Sequence, residues 1–262
     1  MENKPLSISL IGATGRMGKR IIKLSMNNPE FKLVGGCAGQ FSNHVGIDLG
    51  SIIKEEPMGV ILDSNKENAL EKADVVIDFS DHHATVENLE AAIKQGKPIV
   101  IGTTGHHVDN ERAIEAASKY IPILFASNFS LGMNLCIQAV QNFAQALKGQ
   151  CFIDIIEAHH VQKKDLPSGS AIALANATNF PQICMSVSLQ EPRNKDAVII
   201  HSIRAGNNVG EHTIVFTCAE EKIELKYQAF SRDVYAKGAL KAARFLADKP
   251  PGLYYFKDAF FN

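Results

Sequence analysis

Two imidazoles, two ammonium groups and a hydroxyl-rich turn fall within fourteen residues, at Glu157-Ala-His159-His160-Val-Gln-Lys163-Lys164-Asp165-Leu-Pro167-Ser168-Gly169-Ser170. Imidazole has the ordinary pKa nearest neutrality, which suits proton donation and acceptance. Lysines beside it suit a carboxylate substrate. Pro167 and Ser168 are helix-start residues, and a helix opening near Ser170 aims the N–H groups of Gly169 and Ser170 at an anion. Paired histidines also stand at His82-His83 and His106-His107, so the signal lies in the company His159 and His160 keep. No cysteine or carboxylate nearby has a ligand spacing, so no metal site is expected.

A second constellation is Ile8-Ser-Leu-Ile-Gly12-Ala13-Thr14-Gly15-Arg16-Met17-Gly18. Glycines three apart, after a strand and opening a helix, serve a tight turn, a close backbone approach to a pyrophosphate, and close helix packing. The helix N-terminus then faces the phosphates. Gly102-Thr103-Thr104-Gly105 and Ala126-Ser127-Asn128-Phe129 close two further strands, at the carboxyl edge where open α/β sheets bind ligands. Their small and hydroxyl residues let backbone approach a ribose or carboxamide, with Phe129 available to pack on a ring. After the second strand, Gly39-Gln40-Phe-Ser42-Asn43-His44 offers neither an acid nor an arginine. Gln40, Ser42, Asn43 and His44 are either sugar ligands or plain loop residues.

These groups need a scaffold, and the pattern supplies one. Apolar runs at Leu6–Ile11, Phe31–Cys37, Val75–Phe79, Pro98–Ile101 and Ile121–Phe125 alternate with helical stretches at Arg16–Met26, His83–Gln95 and Val108–Lys119. Such alternation predicts a parallel sheet with helices on both faces. After a helix at Leu131–Leu147, strands follow at Phe152–Ala158, Ala197–Arg204, Glu211–Cys218 and Lys222–Phe230, with a hairpin turn at Glu220-Glu-Lys222 and a last helix at Val234–Leu246. Several of these strands alternate apolar with polar residues, as in a sheet covered on one face. The expected fold is α/β: an N-terminal, Rossmann-like, doubly wound parallel sheet plus a C-terminal α+β domain with an open mixed sheet. The domains are drawn at 1–129 for the dinucleotide, 130–236 for substrate and oligomerisation, and 237–262 as a C-terminal helix and tail that returns to the first.

With 262 residues, 45% hydrophobic, and 27 basic against 28 acidic side chains, the chain can bury a sizeable core and has no bulk field for polyanions. Nucleic-acid binding is not expected. Apolar runs fall short of the roughly 20 residues of a membrane span, and the N-terminus lacks a signal-peptide pattern. No membrane association and a cytoplasmic location are expected. Cys37, Cys136, Cys151, Cys184 and Cys218 are odd in number and dispersed, which reads as free buried thiols rather than a disulfide framework.

Gly12-Ala-Thr-Gly15-Arg-Met-Gly18, Gly102-Thr-Thr-Gly105, Asn128-Phe129-Ser130-Leu-Gly132 and Glu157-Ala-His-His160 with Lys163, Asp165 and Pro167-Ser-Gly-Ser170 together resemble the 4-hydroxy-tetrahydrodipicolinate (dihydrodipicolinate) reductase family of lysine and diaminopimelate biosynthesis. The resemblance runs on through Arg204-Ala-Gly206, Gly210-Glu-His212 and Ser231-Arg232 to Gly238-Ala239. It implies hydride transfer from NADH or NADPH to C4 of a cyclic imine dicarboxylate, with loss of the 4-hydroxyl as water. It implies that His159 donates and accepts the proton, that Lys163 is a second donor, and that His160, Lys163, Ser168, Gly169 and Ser170 hold the carboxylates. The dinucleotide would lie along Gly12–Met17, Gly102–Thr104 and Ala126–Phe129. A homotetramer joined through the second domain's sheet is also implied.

Three departures stand out against the usual pattern. Gly39 and Gln40 replace an acid and an arginine, which leaves the choice of cofactor open; Ser170 replaces threonine; Tyr227 replaces histidine. Two rival readings remain. Another dehydrogenase of a small acid, such as a semialdehyde dehydrogenase, needs an activated cysteine, and a non-catalytic dinucleotide sensor has no use for a proton donor beside a dicarboxylate cradle.

Overall fold

The computed structural model describes residues 4–185 and 193–260. In order, its elements are β1 Leu6–Ile11, α1 Arg16–Met26, β2 Phe31–Cys37, α2 Leu49–Ile52, β3 Leu62–Asp63, α3 Lys66–Leu70, β4 Val75–Asp78, a 3₁₀ turn His82–Ala84, α4 Thr85–Lys94, β5 Ile99–Ile101, α5 Val108–Ala117, β6 Pro122–Phe125, α6 Leu131–Ala146, β7 Phe152–His159, α7 Gly169–Ala177, β8 Gln182–Cys184, β9 Ala197–Arg204, β10 Glu211–Thr217, β11 Lys222–Gln228, α8 Asp233–Leu246, β12 Gly252–Tyr255 and α9 Phe256–Phe260. The chain divides into one unit of residues 1–129 with 233–262 and another of 130–232. The boundary drawn from sequence after residue 236 cuts a helix that begins at Asp233, so all of α8 belongs to the first unit.

In the first unit seven strands run in the order β12-β6-β5-β4-β1-β2-β3, every pair parallel. β4 and β5 are buried along their length, which follows from helices on both faces and explains their uninterrupted Val and Ile. The strand order reverses between β1 and β4, the switch point at which doubly wound sheets open a ligand crevice. β3 and β12, the two edges, were not foreseen: β3 is two residues long, and β12 follows Pro250-Pro251.

The second unit holds a mixed sheet ordered β11-β10-β7-β9-β8. β7 runs antiparallel to β10 and parallel to β9. Ile153 and Ile155 point to one face, where Met133, Val140 and Ala144 of α6 and Ala171 and Leu174 of α7 complete a core with Val198, Ile214 and Phe216. The opposite face leaves Ile156 and Ile203 exposed.

The expectation of five free thiols is corrected here. Cys151 and Cys218 extend the β7–β10 register by one residue beyond the Phe152–Thr217 pair, and at a Cα separation of 4.1 Å they form a disulfide. Sequence spacing could not show this, because only the register of distant strands brings the two together. Cys37, Cys136 and Cys184 are free.

Candidate active site

In the first unit the turn after β1 is built as its glycines require. Gly12 has φ +79°, and a Cβ there would stand 2.6 Å from the Phe79 carbonyl oxygen. A Cβ on Gly18 would strike the Gly12 carbonyl, so α1 lies against the turn at a distance only glycine permits. Gly12 and Ala13 donate their N–H groups to the Cys37 carbonyl. No side chain caps α1, whose N-cap is Gly15, and its first turn holds no acid, which leaves its positive end to an anion.

Thr103 is buried, its hydroxyl 3.4 Å from Asp78 Oδ1. Asp78 is buried too and accepts hydrogen bonds from Ser80 N–H and Asn88 Nδ2; desolvation raises its pKa, with these bonds opposing. Phe129 does not offer its ring to a ligand as the sequence suggested. It is buried, with Phe79 at 5.5 Å and Phe256 at 6.1 Å between centroids, so only its backbone is available. Beyond β2, Gly39, Gln40 and Asn43 are exposed and Ser42 and His44 half-buried. The nearest acid on the sheet is Asp63, opposite Cys37 on β3. The glycine turn, the bare helix end and the loops at Gly102–Thr104 and Ala126–Phe129 fit a dinucleotide.

In the second unit β7 extends to His159, one residue past the expected end. Residues two apart share a strand face, so Glu157 and His159 both point inward with Ile153 and Ile155. The His159 Nδ1 and Glu157 Oε2 atoms are in hydrogen-bond contact. Arg204 lies opposite His159 on β9 and grips Glu157 with two hydrogen bonds, Nη1 to Oε2 at 2.9 Å and Nη2 to Oε1 at 2.8 Å. The same Nη2 bonds the Asp165 carbonyl at 2.8 Å. Burial acts to raise the Glu157 pKa, but hydrogen bonds from His159, Arg204 and Ser202 outweigh it and hold the carboxyl well below the ordinary range.

Ser168 is the N-cap of α7, its Oγ accepting from Ala171 N–H at 3.2 Å. His212 on β10 approaches that hydroxyl, Nε2 to Oγ 3.1 Å, and its ring meets His159 edge-on at 5.1 Å. Burial, then the charge of His159, pushes the His212 pKa down to about 3, so this imidazole is neutral. Lys163 Nζ stands 2.8 Å from Asp165 Oδ2. Desolvation raises the Asp165 pKa, yet the bond and charge of Lys163 leave it lowered overall. Lys164 is exposed. The His160 N–H donates to the Asn208 carbonyl at 2.9 Å.

The structure thus gathers His159, Lys163, Ser168, Gly169 and Ser170 in one unit, and Gly12–Met17, Thr103 and Ala126 in the other. Reading the sequence for neighbours missed Arg204 and His212 as part of the cluster. It also passed over Glu157, although a glutamate two residues before a histidine on a strand was there to be read. Glu157, His159 and His212 offer ligand atoms within 4.8 Å of one another, as do Asp81, His82 and His83, groupings that spacing along the chain does not suggest. In the first group both carboxylate oxygens are already held by Arg204. Burial pushes the Cys37 thiol up to about 11 and raises that of Cys136, so neither of these two suits a cysteine nucleophile.

A glycine-rich turn at the switch point of a doubly wound sheet in one unit, and a buried histidine–carboxylate pair near a helix N-terminus in the other, are parts that suit a nicotinamide-dependent oxidoreductase. Residues 6–129 match the family model described as the N-terminus of dihydrodipicolinate reductase, and residues 132–260 match its C-terminus. A 4-hydroxy-tetrahydrodipicolinate reductase from Caldanaerobacter subterraneus subsp. tengcongensis is 39% identical over 94% of this chain and 95% of its own. The chain belongs to the dihydrodipicolinate reductase family, NAD(P)H-dependent oxidoreductases of lysine and diaminopimelate biosynthesis. Among solved structures, the fold matches a dipicolinate-bound dihydrodipicolinate reductase from Paenisporosarcina sp. TG-14, at TM-score 0.72, 23% identity and coverage of 98% of this chain and 99% of that one. It also matches an amine dehydrogenase from Mycobacterium smegmatis, at TM-score 0.67, 11% identity and coverage of 96% and 94%. No helix among the described residues is long and apolar enough to cross a membrane.

Proposed function

We propose that this chain reduces 4-hydroxy-2,3,4,5-tetrahydrodipicolinate to 2,3,4,5-tetrahydrodipicolinate, consuming one hydride and one proton and releasing the 4-hydroxyl as water. The observation that carries the reading is the buried Glu157 carboxylate, which touches both the His159 ring and the Ser168 N–H at the head of α7. Proton donor and carboxylate cradle are thereby parts of one cluster. NADH or NADPH, when bound, supplies the hydride. His159 donates and accepts the proton that balances the new electron density, and Lys163 is the second donor. Two carboxylates need concentrated positive charge and helix N-terminal donors; Lys163, His160, Ser168, Gly169 and Ser170 provide them. Lys163 is held by Asp165 at 2.8 Å, so a substrate carboxylate takes over that contact when it binds. On the first unit, Gly12, Ala13, Thr14, Gly15, Arg16, Met17, Gly102, Thr103, Thr104, Ala126, Ser127, Asn128 and the backbone of Phe129 are assigned to the dinucleotide.

The working form we propose is a homotetramer in the cytoplasm, supported by the exposed Ile156 and Ile203 on the open face of the second sheet. Light scattering should give a particle of four chains, and a monomer would remove that part of the reading.

The test of activity mixes purified protein with the condensation product of pyruvate and aspartate semialdehyde and follows absorbance at 340 nm with NADH and NADPH in parallel. Substrate-dependent loss of absorbance is expected, and the faster cofactor answers the question left by Gly39 and Gln40. Dinucleotide binding without turnover would favour a sensor instead.

A further inference from the structure

We infer that Glu157 is a positioning residue of this enzyme, one carboxylate that sets the proton-bearing nitrogen of His159 and ties it to the carboxylate cradle, with Arg204 as its fixed counter-charge. The inference rests on the roles proposed above for His159 and the head of α7. Its starting point is burial. Glu157 is 0% exposed, and an isolated carboxylate in such a place is costly unless paired and hydrogen-bonded. Here both oxygens are used. Oε2 meets His159 Nδ1 and Arg204 Nη1; Oε1 meets Arg204 Nη2 and, at 3.4 Å, the Ser168 N–H.

An ionised carboxylate can only accept, and the bonds to Glu157 keep it ionised. His159 Nδ1 must therefore carry a hydrogen, and Nε2 is the nitrogen left for the substrate. Fixing a tautomer through the far ring nitrogen is how a buried acid supports a working imidazole. The planar, two-toothed grip of Arg204 stops the carboxylate from rotating toward either partner. Through Nη2 the same arginine holds the Asp165 carbonyl, two residues from Lys163. One ion pair thus positions the His159 ring, the Lys163 loop and the N-cap of α7. His212 completes the arrangement as a neutral neighbour, bonding Ser168 Oγ without adding a further cation beside Arg204 and Lys163.

The test compares Glu157→Gln with wild type. An amide of the same size bonds Arg204 and Ser168 less well and no longer dictates which His159 nitrogen holds the proton. We expect kcat to fall about 100-fold, dinucleotide affinity to stay within twofold, and 15N NMR of histidine-labelled protein to show a His159 Nδ1 proton in wild type that the variant lacks. Arg204→Lys, which keeps a cation but not the paired grip, should lose about tenfold. A purely structural role would lower the unfolding midpoint without moving the imidazole nitrogen signals of the folded variant. A Glu157→Gln rate within threefold of wild type, or an unmoved His159 signal, overturns the inference. Should that variant not fold, the wild-type spectrum decides, and a His159 protonated only at Nε2 overturns it. His159→Gln separates the two levels: full activity there defeats the proposed function itself, whereas full activity in Glu157→Gln alone defeats only the positioning role.

Discussion

The hydroxyl of Tyr227 donates a hydrogen bond of 2.8 Å to Ser130 Oγ, the oxygen that caps the first turn of α6 by accepting from Met133 N–H. The tyrosine that departs from the usual histidine is therefore a brace on the helix entering the second unit, and its ring lies 6.5 Å from that of His212. Tyr227→Phe should cost about 1 kcal/mol, the net worth of one such bond, read as a lower midpoint in urea. Activity should fall little, because the hydrogen bond of the phenol goes to the cap of α6; a large loss of kcat with unchanged stability would place Tyr227 in the reaction instead.

Lys163 and Lys164 separate by burial. Lys163→Ala removes a charge-assisted contact worth roughly 1.5 to 3 kcal/mol, so KM for the dicarboxylate should rise at least about tenfold while kcat falls. Lys164→Ala should stay within about twofold on both. Steady-state kinetics of the two variants side by side checks the assignment, and a reversed pattern would exchange their roles.

The neutral His212 makes stability depend on pH with a definite sign. Its pKa is about 3 when folded against 6.5 ordinarily, so between these values the unfolded chain binds a proton that the folded protein does not. The stabilisation is complete above 6.5 and lost as pH falls, by up to about 1.4 kcal/mol per unit. Glu157, whose pKa is also lowered, acts in the same direction only below its ordinary value of 4.5, while burial lowers His106 from 6.5 as well, so the share of His212 is the difference between wild type and variant from pH 6.5 to 4.5. His212→Gln should flatten the urea stability curve there; an unchanged slope would mean that this histidine is not buried neutral.

Gly12→Ala should fail on two counts. The left-handed φ of +79° strains any side chain by about 1 kcal/mol or more, and the added carbon stands 2.6 Å from the Phe79 carbonyl oxygen. A lower melting point together with weakened NADH binding by fluorescence titration is expected. Unaltered binding would remove this turn from the dinucleotide site.

Much of this was legible in the chain. Val75-Val-Ile77 and Ile99-Val-Ile101 announce strands covered on both faces because burial on both sides leaves no polar position to interrupt them. The glycine turn and the His159–Ser170 stretch are local, so their spacing survives folding unchanged. What was not legible depends on register. Arg204 reaches Glu157 only because β9 runs parallel to β7 with His159 and Arg204 side by side, and His212 arrives on an antiparallel strand whose pairing no local pattern fixes. The Cys151–Cys218 pair was missed for the same reason. β3, at two residues, carries too few positions for a period to be seen.

The nucleotide-binding unit is a split fold. Its edge strand β12 and helix α8, whose Ala236, Ala239, Ala243 and Leu246 are buried in its main core, are encoded after the whole of the second unit. On the ribosome, residues 1–129 must therefore wait, with that part of their core uncovered, until α8 and β12 have been made. The second unit, continuous in sequence, has no such delay and can form first. Trimming the C-terminus would accordingly not shorten a tail but open the sheet that carries the glycine turn.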